Sequence, residues 1–260
     1  MLRVKQAVIL AGGLGTRISE ESYLRPKPMV EIGGRPILWH IMKYYSQFGV
    51  NQFVICAGYK SNVIKDYFIN YHLHNSSIEF NTRSGECILL NTSSEDWNVK
   101  VIETGLDTQT GGRLLAAAEY LDHSFFLTYG DGLSNVDILA LERFHFESQK
   151  EISVTAVSPP GRFGALEIQD GAVEGFVEKP VSGNAWINGG FFVVQKEFLE
   201  RIDGKDTVLE QAPLVNAARD DALAAYKHDG FWQPMDTLRE KNLLDEMYKN
   251  GGAPWKIWKD

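Results

Sequence analysis

The sequence has 260 residues, of which 44% are hydrophobic and 23% are charged, a composition that is typical of globular proteins and excludes a disordered or fibrous chain. Its formal net charge of −8, without a long basic cluster, argues against a nucleic-acid-binding protein, which needs a cationic face. No apolar run reaches the roughly 18–20 residues that span a bilayer, so we expect no membrane insertion. Binding of a single nucleotide is not excluded, because a few well-placed cations are enough to meet its phosphates.

The cysteine content predicts a cytoplasmic protein. Cys56 lies in an apolar strand-like run, and Cys56 and Cys87 could form at most one disulfide, too few to stabilise a chain of this length. We therefore expect both to be reduced thiols. The first six residues lead directly into a predicted strand without the pattern of a signal peptide.

Predicted strands and helices alternate through the first half of the chain. The predicted strands are residues 7–10, 52–56, 99–103 and 124–129, and the helical segments are 37–48, 63–71, 113–121 and 138–146. Such alternation predicts a parallel sheet that is covered by helices on both faces. Sheets of this kind bind ligands beyond the carboxyl ends of their strands, where the loops at 11–17 and 130–131 are expected.

The second half of the chain has a different pattern. Strands are predicted at residues 152–157, 164–169, 172–178 and 190–194, with turn residues between them that favour antiparallel pairing. Residues 72–98 are polar and lack clear periodicity, which indicates a long insertion or flap. We therefore predict an α/β fold with a mixed, mostly parallel central sheet flanked by helices and a small antiparallel β appendage.

The loop after the first predicted strand carries the strongest functional signal, Leu10-Ala11-Gly12-Gly13-Leu14-Gly15-Thr16-Arg17. Its glycines allow backbone N–H groups to approach an anion, and Arg17 adds a permanently charged, planar donor for phosphate oxygens. The loop is not a dinucleotide fingerprint, because Ile18 stands where the third glycine would fall, and no Walker-type Gly-Lys-Ser/Thr follows. The alternative interpretation is a plain tight turn between a strand and a helix.

A stiffly supported lysine follows the loop. Lys27 is flanked by Pro26 and Pro28, which restrict its backbone and exclude a regular helix there. A lysine held in this way is a suitable point charge for a phosphate chain, although a lone lysine between prolines is more often simply solvated.

Two distant aspartates are candidate metal ligands. Asp131 follows an apolar strand, and Asp236 lies in an aromatic, proline-containing segment. Mg²⁺ usually takes one or two protein carboxylates, with water and phosphate oxygens completing its coordination. The alternatives are a turn at Asp131-Gly132 and a helix cap at Asp236.

The Gly-Gly-x-Gly-Thr-Arg loop followed by Pro-Lys-Pro resembles the signature of nucleotidyltransferases that act on sugar 1-phosphates. The resemblance implies a Rossmann-like nucleotide-diphospho-sugar transferase fold in a single domain, 1–260, with 1–150 mainly nucleotide-binding and 151–260 mainly sugar-binding. It implies catalytic roles for Arg17 and Lys27, and Mg²⁺ bound by Asp131 and Asp236. The implied nucleotide-binding residues are Leu10, Ala11, Gly12, Gly13, Leu14, Gly15, Thr16, Arg17, Lys27 and Gly130.

The resemblance also extends to the second half of the chain. Glu178-Lys179-Pro180 and the segment around Asn188-Gly189 match the parts of the family that bind the sugar phosphate, and Gly164 is expected to line the same cleft. The alternatives without a binding role are a surface turn at Glu178-Lys179-Pro180 and a hairpin turn at Asn188-Gly189, since Asn-Gly is a strong hairpin signal.

Further stretches are similar to the cytidylyltransferase branch of this family. They comprise residues 31–40, 110–113, 231–239 and 253–256. The resemblance implies CTP and glucose 1-phosphate as substrates and a homo-oligomer, such as a hexamer. Nothing in composition or spacing distinguishes cytosine from uracil, so the CTP prediction rests on the resemblance. Thr110 and Arg113 are further candidates for contacting the nucleotide, with a simple helix start as the alternative.

Three other functions stay open at this point. One is the same chemistry with dTTP, UTP or another sugar phosphate, and another is a glycosyltransferase that uses a finished nucleotide sugar. The third is a non-catalytic nucleotide-binding regulatory subunit. The glycine loop argues against a glycosyltransferase, because a triphosphate needs a larger cradle than a diphosphate.

Overall fold

The computed structural model describes residues 2–15, 23–92, 94–158, 165–169, 172–177 and 186–259. The strands, in chain order, are β1 (Gln6–Ala11), β2 (Glu31–Ile32), β3 (Arg35–Pro36), β4 (Gln52–Ala57), β5 (Ser76–Phe80), β6 (Cys87–Thr92), β7 (Asn98–Glu103), β8 (Ser124–Tyr129), β9 (Gly132–Ser134), β10 (Ile152–Val157), β11 (Ala165–Gln169), β12 (Ala172–Val177), β13 (Ile187–Gln195), β14 (Leu223–His228) and β15 (Trp232–Pro234). The α-helices are α1 (Ile37–Ser46), α2 (Ser61–Ile69), α3 (Tyr71–His74), α4 (Thr110–Ala116), α5 (Ile138–Ser148), α6 (Ala212–Arg219) and α7 (Leu238–Lys249). Short 3₁₀ helices are formed by Lys27–Met29, Ala118–Tyr120 and Lys196–Arg201.

Seven strands form the central sheet in the order β14-β10-β13-β8-β1-β4-β7. Among the described pairings in this sheet, β13 runs antiparallel to β10 and β8, and the remaining neighbours are parallel. The predicted α/β fold with a mixed, mostly parallel sheet is therefore confirmed. The antiparallel pairs β11–β12, β5–β6, β9–β15 and β2–β3 lie outside this sheet.

Both faces of the central sheet are buried, because helices cover each of them. Ala7 and Ile9 of β1 belong to a core that includes residues of α1, α5 and α7, whereas Val8 and Leu10 belong to a second core with residues of α4 and α6. The alternation follows from the period of two along a strand. It explains why β1 is a continuous apolar run with all six residues buried.

Several element boundaries differ from the sequence predictions. The helix predicted at 113–121 begins at Thr110 and ends at Ala116, and a separate 3₁₀ turn follows. The segment predicted as one helix at 63–71 is interrupted at Asn70, whose backbone leaves helical geometry and whose side chain bonds back to the carbonyl of Asp66. Residues 72–98 contain the β5–β6 hairpin, which their polar composition did not indicate. Within the described chain, no helix combines the length and apolarity needed to cross a membrane.

Two buried histidines are neutral in the folded protein. His145 Nδ1 lies 2.9 Å from Ser153 Oγ, and its Nε2 accepts from Gln195 Nε2 at 2.7 Å. His40 donates from Nε2 to the carbonyl of Ile32 at 2.8 Å. Burial lowers the pKa of each histidine from 6.5 to about 4.

We expect acid to destabilise the fold through these histidines. Both are neutral above pH 6.5 in either state, but between pH 6.5 and pH 4 the unfolded chain binds protons that the folded chain does not. The free energy of unfolding therefore falls as the pH falls, by about 2 kcal/mol per histidine at pH 5. Urea unfolding at pH 7 and pH 5 measures the change, and the variant His145→Asn should show about half of the histidine contribution. An unchanged pH dependence in that variant would contradict the assignment.

Candidate active site

A pocket of about 380 Å³ lies beyond the carboxyl ends of β1 and β8, where the sheet order changes direction. Ligands bind at such switch points because the loops after neighbouring strands diverge there. The predicted site residues that line the pocket are Leu10, Ala11, Gly12, Gly13, Gly15, Lys27, Thr110, Arg113, Gly130, Asp131 and Asp236. Leu14 lies outside this lining, with about half of its surface exposed. Thr16, Arg17, Gly164, Glu178 and Lys179 lie outside the described residues, so their roles stay predictions.

The glycine loop is packed directly against Arg113. A Cβ atom at Gly12 would lie 2.1 Å from Arg113 Nη1, and one at Gly58 would lie 2.3 Å from the same atom. At Gly58 the added atom would also lie 2.8 Å from the carbonyl oxygens of Gly105 and Gly12, so this glycine is required by backbone packing, whereas a side chain at Gly12 would displace the guanidinium. This contact fixes the start of the loop immediately after β1.

Arg113 bonds to protein atoms at the edge of the pocket. Its guanidinium donates to Thr104 Oγ1 and the Gly105 carbonyl, both at 2.7 Å, and to the Leu106 carbonyl at 3.1 Å. Burial lowers the pKa of Arg113 below its ordinary value. The residue therefore ties the loop after β7 to the glycine loop, and its predicted contact with the nucleotide stays a prediction.

The glycine pair after Thr110 has a packing reason. The amides of Gly111 and Gly112 donate to the Thr207 carbonyl at 3.0 and 3.2 Å, and a Cβ atom at Gly112 would lie 2.2 Å from the Lys205 carbonyl oxygen. A larger residue would push the segment around Lys205 away from α4. The glycines thus serve this backbone contact, while Thr110 itself faces the pocket.

Lys27 is held between two carboxylates. Its Nζ lies 2.5 Å from Asp131 Oδ2 and 2.7 Å from Asp236 Oδ1. Burial acts to lower the pKa of Lys27, but the charges and hydrogen bonds of the two aspartates outweigh it, and the pKa is raised above its ordinary value. Lys27 is therefore a permanent cation on the pocket wall.

The two aspartates meet because the strands next to them pair. β9 and β15 pair antiparallel, and the Met235 amide donates to the Asp131 carbonyl at 2.8 Å. The cap of α7 is Thr237, in a capping box with Glu240, so the alternative role of Asp236 as that cap is wrong. Instead, the Asp236 carboxylate points to Lys27.

The donor set fits a hard divalent cation. Two carboxylates at the mouth of a pocket, with room for phosphate oxygens, match the usual protein share of such a coordination shell. The described residues contain no group of three or more His, Cys, Asp or Glu side chains that could hold a metal alone. A metal bound here would therefore depend on Asp131, Asp236 and its substrate.

Asn188 and Gly189 lie inside β13, so the alternative reading as a hairpin turn is wrong. Gly190 and Phe191 have positive φ angles of 72° and 49°, and the register between β10 and β13 shifts at this point. The irregularity bends the strand and turns Asn188 toward Tyr129, whose hydroxyl accepts from Asn188 Nδ2 at 3.1 Å.

The sequence predictions did not include the polar lining residues Thr108, Gln109 and Tyr129, nor Glu210, which bonds to Tyr129. Tyr129 ends β8 and lines the pocket, and its hydroxyl donates to Glu210 Oε1 at 2.5 Å. The position of Tyr129 immediately before Gly130-Asp131 was an available signal. Glu210 had none, because it lies in an irregular segment that reaches the pocket only through tertiary packing.

Comparisons with known proteins agree with this architecture. A family model for nucleotidyl transferases matches residues 6–237. The chain is 52% identical to a glucose-1-phosphate cytidylyltransferase of Salmonella typhi, over 97% of this chain and 99% of the relative. It is 42% identical to a probable glucose-1-phosphate cytidylyltransferase of Bacillus subtilis, over 97% and 100%.

Solved structures share the fold at lower identity. The crystal structure of HddC from Yersinia pseudotuberculosis superposes with a TM-score of 0.70 at 23% identity, covering 94% of this chain and all of that one. The inositol-1-phosphate CTP transferase from T. maritima superposes with a TM-score of 0.68 at 15% identity, covering 99% and 98%. On the family match and the close relatives together, this chain belongs to the nucleotidyl transferase family.

Proposed function

We propose that the protein transfers a cytidylyl group from CTP to α-D-glucose 1-phosphate, giving CDP-glucose and pyrophosphate. The observation that carries the proposal is Lys27, held between Asp131 and Asp236 beside a glycine loop. This arrangement suits a triphosphate with a divalent cation. The choice of CTP and glucose 1-phosphate is supported by the relatives, which match nearly the full chain.

The reaction needs no protein nucleophile. A phosphate oxygen of glucose 1-phosphate attacks the α-phosphorus of CTP in line, a new P–O bond forms, and the bond to pyrophosphate breaks. The attacking oxygen is already an anion, so no general base is required.

The residues of the pocket position the substrates and neutralise their charge. Asp131 and Asp236 would hold Mg²⁺, which supplies positive charge to the phosphates. The Lys27 ammonium, with Arg17, offsets charge on the triphosphate. The amides of Gly12 and Gly13 accommodate phosphate oxygens without side-chain obstruction.

In this proposal the first half of the chain binds mainly the nucleotide, and the second half binds mainly the sugar phosphate. Apart from Asp236, the described residues that line the pocket all belong to residues 1–150, which supports a nucleotide-binding role for that half. Asn188 lies one hydrogen bond away from the lining residue Tyr129, and Gly189 is its neighbour in β13. We therefore assign the sugar phosphate to these two residues together with Gly164, Glu178 and Lys179.

The protein acts as a homo-oligomer in this proposal, and the β5–β6 hairpin forms an interface between copies. The hairpin exposes large apolar side chains on both strands, namely Ile78, Phe80, Ile88, Leu89 and Leu90. A two-stranded hairpin is marginally stable alone, and a second copy of the chain would cover these side chains. Light scattering that finds a monomer would contradict this part of the proposal.

Pyrophosphate release tests the proposed reaction. The protein is incubated with glucose 1-phosphate, Mg²⁺ and one of CTP, UTP, dTTP, ATP or GTP, with EDTA controls. Release with CTP alone, lost in EDTA, is the expected result. Release with another nucleotide would keep the chemistry and change the base, whereas silence with all five would contradict the proposed reaction.

A further inference from the structure

A second polar cluster crosses the mouth of the pocket, separate from Lys27 and its two aspartates. Glu210 accepts hydrogen bonds from Tyr129 at 2.5 Å and from Thr110 Oγ1 at 2.7 Å. Thr110 begins α4 and Tyr129 ends β8, so one carboxylate joins two walls of the pocket. Each of the two hydroxyl groups donates its single proton to this carboxylate.

On its other side, the Tyr129 hydroxyl accepts a hydrogen bond from Asn188, so the donors point from Asn188 through Tyr129 to Glu210. Asn188 Nδ2 donates to the Tyr129 hydroxyl at 3.1 Å, and Asn188 Oδ1 accepts from the Gly190 amide at 2.8 Å. The side chain of Asn188 therefore has one orientation. Its second N–H and the second lone pair of its oxygen are not used by these bonds and suit a sugar hydroxyl.

The ring of Tyr129 has little freedom to point elsewhere. It packs edge-on against Phe192 at 6.0 Å between ring centroids, and a Cβ atom at Gly190 would lie 3.1 Å from Tyr129 Cδ2. Burial, and then the charge of Glu210, raise the pKa of the Tyr129 hydroxyl well above its ordinary value. The hydroxyl thus stays protonated and donates to Glu210.

The backbone around Glu210 is fixed to α4. The Leu209 amide donates to Thr110 Oγ1 at 2.9 Å, and the Thr207 carbonyl accepts two amides at the start of α4. Although Glu210 is exposed, its carboxylate is therefore presented from a held segment. Removing it would leave the Tyr129 hydroxyl proton without its acceptor, so the proton would no longer be directed away from the N–H that Asn188 donates.

We propose that Glu210 is a positioning residue that orients Tyr129, and through it Asn188, for binding the sugar phosphate. The proposal rests on the proposed function, in which Asn188 contacts the sugar. Glu210 does not touch the reacting atoms. Its effect is expected in the binding of glucose 1-phosphate and not in the transfer step.

Steady-state kinetics of Glu210→Gln and Tyr129→Phe test this role. A glutamine oxygen accepts from only one of the two hydroxyls, and phenylalanine removes the link to Asn188. Each variant should raise the KM for glucose 1-phosphate about tenfold, the effect of one lost hydrogen bond to a charged group. The KM for CTP should rise by much less than the KM for glucose 1-phosphate, and the kcat should stay within about twofold to threefold of wild type.

The double variant adds a test of the connection. If Glu210 acts through Tyr129, the double variant should be no worse than either single variant, because both break the same chain of hydrogen bonds. Glu200→Gln, which changes an exposed carboxylate on the 3₁₀ helix Lys196–Arg201, is the matched control and should behave as wild type. Multiplied effects in the double variant would overturn the proposal.

Two further results would also overturn it. The first is an unchanged KM for glucose 1-phosphate in both single variants, with only the melting temperature lowered, because that pattern indicates a purely structural role. The second is an equal rise in the KM of both substrates.

If wild type releases pyrophosphate with another nucleotide, the proposed choice of CTP fails by itself, and the kinetic comparison of the variants is made with that nucleotide. If wild type is silent, titration of glucose 1-phosphate still decides, since an equal Kd in wild type and Glu210→Gln overturns the positioning role.

Discussion

Asp131→Asn should lower turnover by about 10³-fold or more while leaving the fold intact. The substitution keeps the size of the side chain but removes one of the two carboxylates that would hold the divalent cation. Lys27 keeps its bond to Asp236 at 2.7 Å, so the pocket wall retains an ion pair. Pyrophosphate release under saturating substrates measures the loss, and circular dichroism with thermal melting measures the fold.

A matched control separates the site from a general effect of charge. Asp66→Asn changes an exposed carboxylate on α2 that does not line the pocket, and it should retain wild-type turnover and stability. Turnover in Asp131→Asn that resembles wild type would remove Asp131 from the metal site. Loss of the fold in that variant would show that the carboxylate serves stability instead.

Lys27→Met should lower turnover by roughly 10²–10³-fold, through a different cause. The variant keeps the apolar length of the side chain and removes the ammonium that offsets phosphate charge. Both carboxylates remain, so binding of Mn²⁺, followed by electron paramagnetic resonance, should persist in Lys27→Met and weaken in Asp131→Asn. This contrast separates a phosphate-neutralising cation from a metal ligand.

The control for this lysine is another ion-paired lysine. Lys65 pairs with Glu103 on the surface, with about two fifths of its side chain exposed, and Lys65→Met should leave turnover unchanged. Equal losses in Lys27→Met and Lys65→Met would show that net charge, and not the position of Lys27, sets the rate. Retention of full turnover in Lys27→Met would exclude its proposed role.

The core of the fold was predictable because buried parallel strands are continuous apolar runs. β8 occupies the predicted residues, Ser124–Tyr129, and β4 extends its prediction by one residue. β14 was missed, because it is an edge strand that pairs with β10 alone in the sheet and mixes polar with apolar residues. The β5–β6 hairpin was missed for a related reason, since both of its strands lie mostly exposed outside the main sheet.

The chemistry of the site was more predictable than its geometry. Residue type and strand position predicted Lys27, Asp131 and Asp236 as site residues. Along the chain, however, Asp131 is 104 residues and Asp236 is 209 residues away from Lys27. Their meeting depends on the pairing of β9 with β15, two three-residue strands that no periodicity reveals. Glu210 lacked even a local signal, because its role follows only from the contacts of its segment with α4.

Exchange of labelled pyrophosphate into CTP tests the central claim, that the sugar phosphate itself attacks the α-phosphorus and the protein supplies positioning and charge. Protein, Mg²⁺ and CTP are incubated with labelled pyrophosphate, with and without the sugar substrate. We predict no label in CTP without a sugar compound, and label in CTP once glucose 1-phosphate or CDP-glucose allows the reverse reaction. Label entering CTP in the absence of any sugar compound would contradict it, because that exchange requires a covalent cytidylyl-protein intermediate.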